Sequence, residues 1–374
     1  MDSKGRPFEG IRVLDMTHVL AGPFASYQLA VLGADVIKIE NPSDPDQTRI
    51  TGLDSTASDS RMGTSYLTQS SNKRSLTTDL KTSEGQEILR RLVKTADVLL
   101  QNYRPGSLEA LGLGPDEMMK INPKLIYCSL SAYGQQGPKR DRTVYDSVIQ
   151  ATSGIMAMNC TPMMIKGSLI DYATGTTGAF AIASALFQRE KTGRGQKIDL
   201  AMEDVGFILM SNHLVGYLYN GTETTPHSKS VRVGTGGYFE TADGLLMLAA
   251  SNWRQHRRFW TLMGRPELGQ RRCDSEHMKL LVDILKQKTA QEWEDYLQAN
   301  HIPAGRVRTM AEAVLDKQFE HRRVTHKHPK VENVDGPVTV PVAAFMFAHG
   351  GPSIESPPPP LGADTQKGLG EIGY

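Results

Sequence analysis

IRVLDMTHVLAGPFASYQLAVLGADVIKIE, residues 11–40, reads as a β-α-β unit. Ile11 to Asp15 is a short apolar strand. Gly22-Pro23 opens a helix, where a proline loses nothing because the first-turn N–H groups have no intrahelical partner. The helix runs to about Leu32, Gly33 suits the left-handed residue that closes it, and Val36 to Ile39 is the next strand, ending at Glu40.

The alternation continues outward. Ser75 to Leu80 is a predicted strand. Ser83 and Gln86 have capping-box spacing ahead of a helix with Ile88, Leu89 and Leu92 on one face. Val98 to Leu100 and Leu125 to Leu130 are predicted strands, with a mostly helical stretch, Ser107 to Ile121, between them. Strands alternating with helices predict a parallel sheet of α/β type. Ala173 to Arg189 is a helix rich in Gly, Ala and Ser, suited to close helix packing. Lys197 to Ala201 is a strand, and Glu203 to about Tyr219 a long apolar helix.

The texture changes near residue 225. A polar, turn-rich segment leads to Gly234-Thr235-Gly236-Gly237, then to a hairpin turning at Asp243-Gly244. Three helices follow, near 253–263, 276–288 and 290–299. The sequence thus predicts a large α/β domain over 1–224, a smaller α+β domain over 225–329, and a C-terminal segment, 330–374.

Composition excludes several classes. Lys plus Arg (42) nearly equals Asp plus Glu (41), which gives no global attraction to nucleic acid or an anionic membrane. Three widely spaced cysteines, Cys128, Cys160 and Cys273, make neither a disulfide framework nor a zinc site and point to a reducing, cytoplasmic setting. The N-terminus lacks the apolar run of a signal peptide, and no apolar run reaches the ~18 residues of a membrane span. The first turn, His18 to Pro23, has no G-x-G-x-x-G, so a nicotinamide cofactor loses its main support. Phosphate-loop, H-E-x-x-H and G-x-S-x-G signatures are also missing. Pattern alone therefore stops at an α/β enzyme of unspecified reaction.

Motifs go further. LDMTHVLAGPFASYQLAVLGADVIKIENP (14–42), SNKRSLTTDLKTSEG (71–85), QNYRPGSLEALGLG (101–114), SAYGQQGP (131–138), SLIDYATGTTGAFAIASALFQREKTGRGQKIDLAMED (168–204), IPAGRV (302–307) and PPLGADTQKGLGEIGY (359–374) run in order along nearly the whole chain. Together they resemble family III CoA-transferases, the group containing formyl-CoA and carnitine CoA-transferases. The resemblance implies a Rossmann-like large domain, a small domain, and an interlocked homodimer in which the C-terminal segment completes the large domain.

In that family the aspartate before the small-residue helix is the nucleophile, here Asp171. Alone, an Asp at a helix start would read as a cap; the two roles are compatible, since a helix N-terminus favours a carboxylate. The implied reaction transfers CoA from an acyl-CoA to a carboxylic acid. Asp171 attacks the donor thioester, giving a mixed anhydride and CoA thiolate. The thiolate returns to the Asp171 carbonyl, leaving an aspartyl-CoA thioester that the acceptor acid then opens. One difficult exchange becomes several easier ones. A thioester is made for each one broken, so no ATP, metal or resident cofactor is required.

The resemblance also implies where CoA lies: against Val19, Leu20 and Ala21, then Asn72, Lys73 and Arg74, then Asn102, Tyr103 and Arg104, and against Tyr145 and Met202. Lys73, Arg74 and Arg104 are the expected phosphate partners. Gly234, Gly236 and Gly237 fall where the family carries a glycine-rich active-site loop, and read equally as a flexible linker. Arg49, Arg142 and Lys166 are cations that could neutralise a second carboxylate, so the expected acids are small dicarboxylates, with succinyl-CoA as donor. The alternative within the superfamily is an α-methylacyl-CoA racemase-like epimerase. Those enzymes place a His base where this chain reads Thr143-Val144-Tyr145-Asp146, and Tyr would need a greatly lowered pKa to replace it. A third reading is a CoA binder without catalysis.

Overall fold

The computed structural model describes residues 5–159, 161–221 and 234–374. The chain divides into two compact units, one from Met1–Pro226 and Arg323–Tyr374, the other from His227–Arg322. Cys160 lies outside the described residues.

The first unit is built on a six-stranded sheet. Its strands are β1 (Arg12–Met16), β2 (Asp35–Glu40), β3 (Lys73–Thr77), β4 (Val98–Gln101), β5 (Ile126–Ser131) and β6 (Gln196–Ala201). All neighbours pair parallel, in the order β3-β2-β1-β4-β5-β6. The chain starts in the middle, winds outward to β3, then returns to the other side of β1. Between β1 and β4 the order reverses, and ligands of open α/β sheets bind in the crevice at such a point, beyond the carboxyl ends of the strands.

Two apolar layers sandwich the sheet. On one face, helix α1 (Ala21–Val31) and the long helix α4 (Leu169–Thr192) pack over Val13, Val36, Val98 and Ile126. On the other, helix α2 (Ser83–Lys94) covers Leu14, Ile37, Leu76 and Leu99. The small residues of α4 bring it onto α1 and β6: a Cβ on Gly175 would stand 2.6 Å from the Ala21 carbonyl oxygen, and one on Gly178 3.3 Å from Ala25 Cβ and 3.0 Å from Leu200 of β6. The edge strand β3 is covered by the C-terminal segment. Ser75 N–H donates to the Asp364 carboxylate, Thr77 N–H to Thr365 Oγ1, and Asp364 N–H to the Ser75 carbonyl. An unpaired edge would otherwise invite further strands.

Several boundaries differ from the sequence reading. The third strand starts at Lys73 rather than Ser75, because the chain enters it from a buried turn, Ser70–Asn72. The N-cap of α2 is Thr82, whose hydroxyl accepts from Gly85 N–H, while Gln86 turns back to the Leu80 carbonyl; the expected Ser83–Gln86 box is not formed. The long helix after β6 breaks at Met210 into α5 (Met202–Leu209) and α6 (Ser211–Asn220). The small-residue helix begins at Leu169, earlier than Ala173.

The second unit is a three-stranded antiparallel sheet, β7 (Thr235–Glu240), β8 (Leu245–Ala250) and β9 (Ala304–Arg306), with helices Trp253–Leu262, Ser275–Leu285 and Ala290–Ala299. Phe239, Leu248, Phe259, Trp260, Trp293 and Leu297 form its core. Gly236 and Gly237 are not in a loop but inside β7, opposite Ala249 and Leu248. Gly234 sits just before it, where a Cβ would meet the Ala250 carbonyl oxygen at 1.9 Å. Gly236 and Gly237 thus belong to a strand, and at Gly234 and Gly236 the missing Cβ admits backbone of β8 or the residue beyond it.

Candidate active site

Asp171 is the third residue of α4, so it is not the cap. The preceding Ser168 is left-handed (φ 55°) and makes no side-chain cap. The cap comes from outside: one oxygen of Asp146 accepts from the N–H groups of Ile170 (2.6 Å) and Asp171 (3.1 Å). Asp146 opens helix α3 (Asp146–Thr152) and is buried. Its other oxygen accepts from Gln150 Nε2, and the Gln150 amide in turn grips the backbone of Ile165, taking its N–H at 2.9 Å and donating to its carbonyl at 3.0 Å. Asp146 and Gln150 thus tie the start of α4 to the loop before it.

This arrangement changes the electrostatics expected of a helix start. The two amides that could have stabilised Asp171 are given to Asp146. Burial removes water from the Asp171 carboxyl, and the Asp146 charge adds repulsion, so its pKa rises from 3.8 to about 7. A carboxylate with few donors around it retains its lone pairs for attack on a carbonyl. Asp171 and its helix stand at the carboxyl ends of β5 and β6, where Ile170 packs with Ala21, Leu130, Leu200 and Met202.

The β1–α1 turn is held from every side. Asn102, just beyond β4, accepts from His18 N–H (2.9 Å) and donates to the His18 carbonyl (2.8 Å). Tyr103 meets the His18 ring edge-on, with centroids 5.8 Å apart. Asp15 accepts from Thr17 and Ser26, tying the end of β1 to α1. A Cβ at Gly22 would stand 2.4 Å from Thr17 Cβ, so the turn closes only on glycine there. Of the residues expected to meet CoA, the fold therefore gathers Val19, Leu20, Ala21, Asn102 and Tyr103 at the sheet's reversal point, with Met202 in the cluster below Asp171. Arg104 is exposed beside them in sequence, and Tyr145 is exposed at the start of α3.

Three expected contacts are placed otherwise. Lys73 is buried, its ammonium pairing with Asp15 at 2.9 Å and donating to Ser26 and the Pro23 carbonyl, so its charge is already spent. Asn72 (φ 61°) bonds Ala30 and Ser353 and receives the N–H groups of Glu355 and Ser356. Arg74 pairs with Asp35 and Glu371. The polar groups of all three side chains are engaged within the fold. Arg49 is not free to meet a second carboxylate: it is fully buried, forks onto Glu40 and lies over the Tyr66 ring at 3.8 Å. Arg142 and Lys166 are exposed. Asp146, Gln150 and His18 were not anticipated as site residues. Asp146 is legible only as the acid after Tyr145, since a cap donated across 25 residues leaves no local spacing.

A family model described as CoA-transferase family III matches residues 8–365. The human succinyl-CoA:glutarate CoA-transferase is 33% identical, covering 98% of this chain and 86% of that protein. The succinate–glutarate CoA-transferase of Agrobacterium fabrum is 33% identical over 100% of this chain and 97% of its own. Among solved structures, the hypothetical protein Rv3272 from Mycobacterium tuberculosis superimposes with a TM-score of 0.86 at 32% identity, covering 98% of this chain and 99% of that one.

Proposed function

The chain belongs to CoA-transferase family III, and from that premise we propose that it moves coenzyme A between small dicarboxylic acids through covalent intermediates on Asp171. It is a CoA-transferase; its substrates are acyl-CoA thioesters and carboxylic acids. The observation that carries the proposal is the half-buried Asp171 carboxyl, raised to about 7 beside Asp146, at the carboxyl end of the sheet.

The steps balance without an external energy source. The ionised Asp171 oxygen attacks the donor thioester carbonyl; the C–S bond breaks, leaving an aspartyl-acyl anhydride and CoA thiolate. The thiolate attacks the Asp171 carbonyl and expels the donor carboxylate. The acceptor carboxylate attacks the aspartyl-CoA thioester, and the released thiolate takes the acceptor acyl group from the second anhydride, regenerating Asp171. Asp146 and Gln150 fix the helix start so that the carboxyl is presented to the crevice.

Succinyl-CoA is the proposed donor and a five-carbon or similar dicarboxylate the proposed acceptor. The names of the human and Agrobacterium relatives support this, as do the exposed cations Arg142 and Lys166. The racemase reading is not favoured: its base position is the exposed Tyr145, a phenol. A homodimer is also proposed. The exposed apolar side chains of Phe180 and Phe187 on α4 and of Leu218 and Tyr219 on α6 support it, as groups a second chain would cover.

The test is incubation with succinyl-CoA and glutarate, following new thioesters and protein-bound CoA by mass spectrometry. Wild type is expected to form glutaryl-CoA and a CoA adduct at Asp171, and Asp171→Ala neither. Transfer by Asp171→Ala at the wild-type rate would refute the covalent role, and turnover of monocarboxylates above dicarboxylates would refute the acid class.

A further inference from the structure

Val19 is β-branched yet has φ 72°. Two heavy atoms on its Cβ make the left-handed region costly, so for this residue type the conformation is an outlier that its surroundings must impose. Both groups of its peptide are held by buried side chains from outside the turn. Val19 N–H donates to Asp46 Oδ1 (3.1 Å), and the Val19 carbonyl accepts from Gln69 Nε2 (2.7 Å). Gln69 is 1% exposed, and its other amide atom, Oε1, has no partner among the described residues, so the bond to Val19 is the contact its burial serves. Asp46 is in turn set by Lys38, which donates to Asp46 Oδ2 (2.9 Å) and to the Thr17 carbonyl (2.8 Å).

We propose that Gln69 and the Asp46–Lys38 pair are positioning residues that force Val19 into its left-handed conformation and so preshape the β1–α1 turn for the CoA thioester. A Rossmann turn gains such a bend from glycine; this chain achieves it with a clamp. With the peptide groups of His18 and Val19 all turned inward, to Asn102, Asp46 and Gln69, the half-buried side chains of Val19 and Leu20 are left to face the crevice. Without the clamp, Val19 relaxes toward ordinary φ and the turn must be rebent on binding, at the expense of affinity. The inference rests on the reading of this turn as the CoA site.

Four proteins test it: wild type, Gln69→Leu, Val19→Gly, and the double variant. KM for acyl-CoA, KM for the acid and kcat come from transfer assays, and CoA binding from calorimetry. Gln69→Leu is expected to raise the acyl-CoA KM about tenfold, equivalent to ~1.4 kcal/mol, leaving the acid KM and kcat in place. Glycine adopts positive φ without strain, so adding Gln69→Leu to Val19→Gly is expected to change the acyl-CoA KM less than twofold. Should Gln69→Leu fail to fold while the double variant folds, the clamp is supported just the same. An equal loss in both backgrounds, a loss shared with the acid KM, or failure of both to fold overturns the inference. If wild type binds CoA but transfers nothing, the transferase mechanism fails and calorimetry alone decides on the clamp; if it binds no CoA, the clamp falls with the site.

Discussion

Replacing Asp171 with Asn should make the protein more stable above pH 7 while removing its activity. The Asp171 carboxyl is raised from 3.8 to about 7 by burial and by the Asp146 charge. Because the folded-state value lies above the unfolded one, the folded chain alone holds this proton between about pH 4 and 7. Below that window both states are protonated and the group has no effect; as pH rises through it, the folded state loses ground, and above 7 the full penalty is present. About three pKa units correspond to ~4 kcal/mol, which partial exposure of the carboxyl reduces to ~2 kcal/mol. A chain of 374 residues has an unfolding entropy of ~0.8 kcal/mol/K, so the expected rise is about 2–3 °C in Tm for Asp171→Asn at pH 8 and none at pH 4. Differential scanning calorimetry across pH reads this directly. A variant less stable than wild type at pH 8, or a difference that does not vary with pH, would refute the electrostatic account of the site.

On the proposed mechanism the same carboxyl governs rate. With the anion as nucleophile, kcat/KM for acyl-CoA should rise with pH toward a plateau above about 7; a flat profile from pH 5 to 8 would contradict it. Asp146→Asn removes the second cause of the shift and should move that midpoint downward, leaving the effect of burial, as pH–rate profiles of the two proteins will show. Arg49→Met should cost about 3–5 kcal/mol in urea unfolding, because Glu40 is left buried without its cation. Gly175→Val should destabilise by about 1–3 kcal/mol and lower transfer, since its Cβ would press on the Ala21 carbonyl oxygen and Phe24 and push α4 off the turn.

The β-α-β start, the alternation through β6 and the hairpin at Asp243-Gly244 were legible because each rests on local pattern: an apolar run, a turn residue, a period. The sequence singles out Asp171 as a candidate but not its charge. Its sequence position suggests an ion favoured by a helix start, whereas the fold lends those amides to Asp146 from another element. Lys73 and Arg49 mislead for a related reason. A cation in a strand or loop reads as available to phosphate or carboxylate; the sheet brings Asp15 to Lys73, and the turn Gln47–Ile50 folds Arg49 back onto Glu40. Gly236 and Gly237 read as a loop because glycine is a breaker, yet pairing with β8 carries them into a strand.

The missing glycine motif and the buried charges have one explanation. A turn that must bend tightly between a central strand and its helix can use residues free to adopt any φ, and then the sequence advertises it. This chain keeps glycine at position 22, where only a missing Cβ lets Thr17 pass, and sets the rest of the bend with side chains from four other segments: Asp46, Gln69, Lys73 and Asn102. Each of these is polar, and each reaches the turn from a distant part of the chain. Burying Lys38 with Asp46 and Lys73 with Asp15 brings little net stability, since desolvation offsets most of the attraction. What the pairs secure is orientation: a charge fixed among carbonyls and carboxylates has few alternative arrangements. On that account, replacing a pair by apolar residues of similar volume should leave the melting temperature nearly unchanged and still weaken acyl-CoA binding.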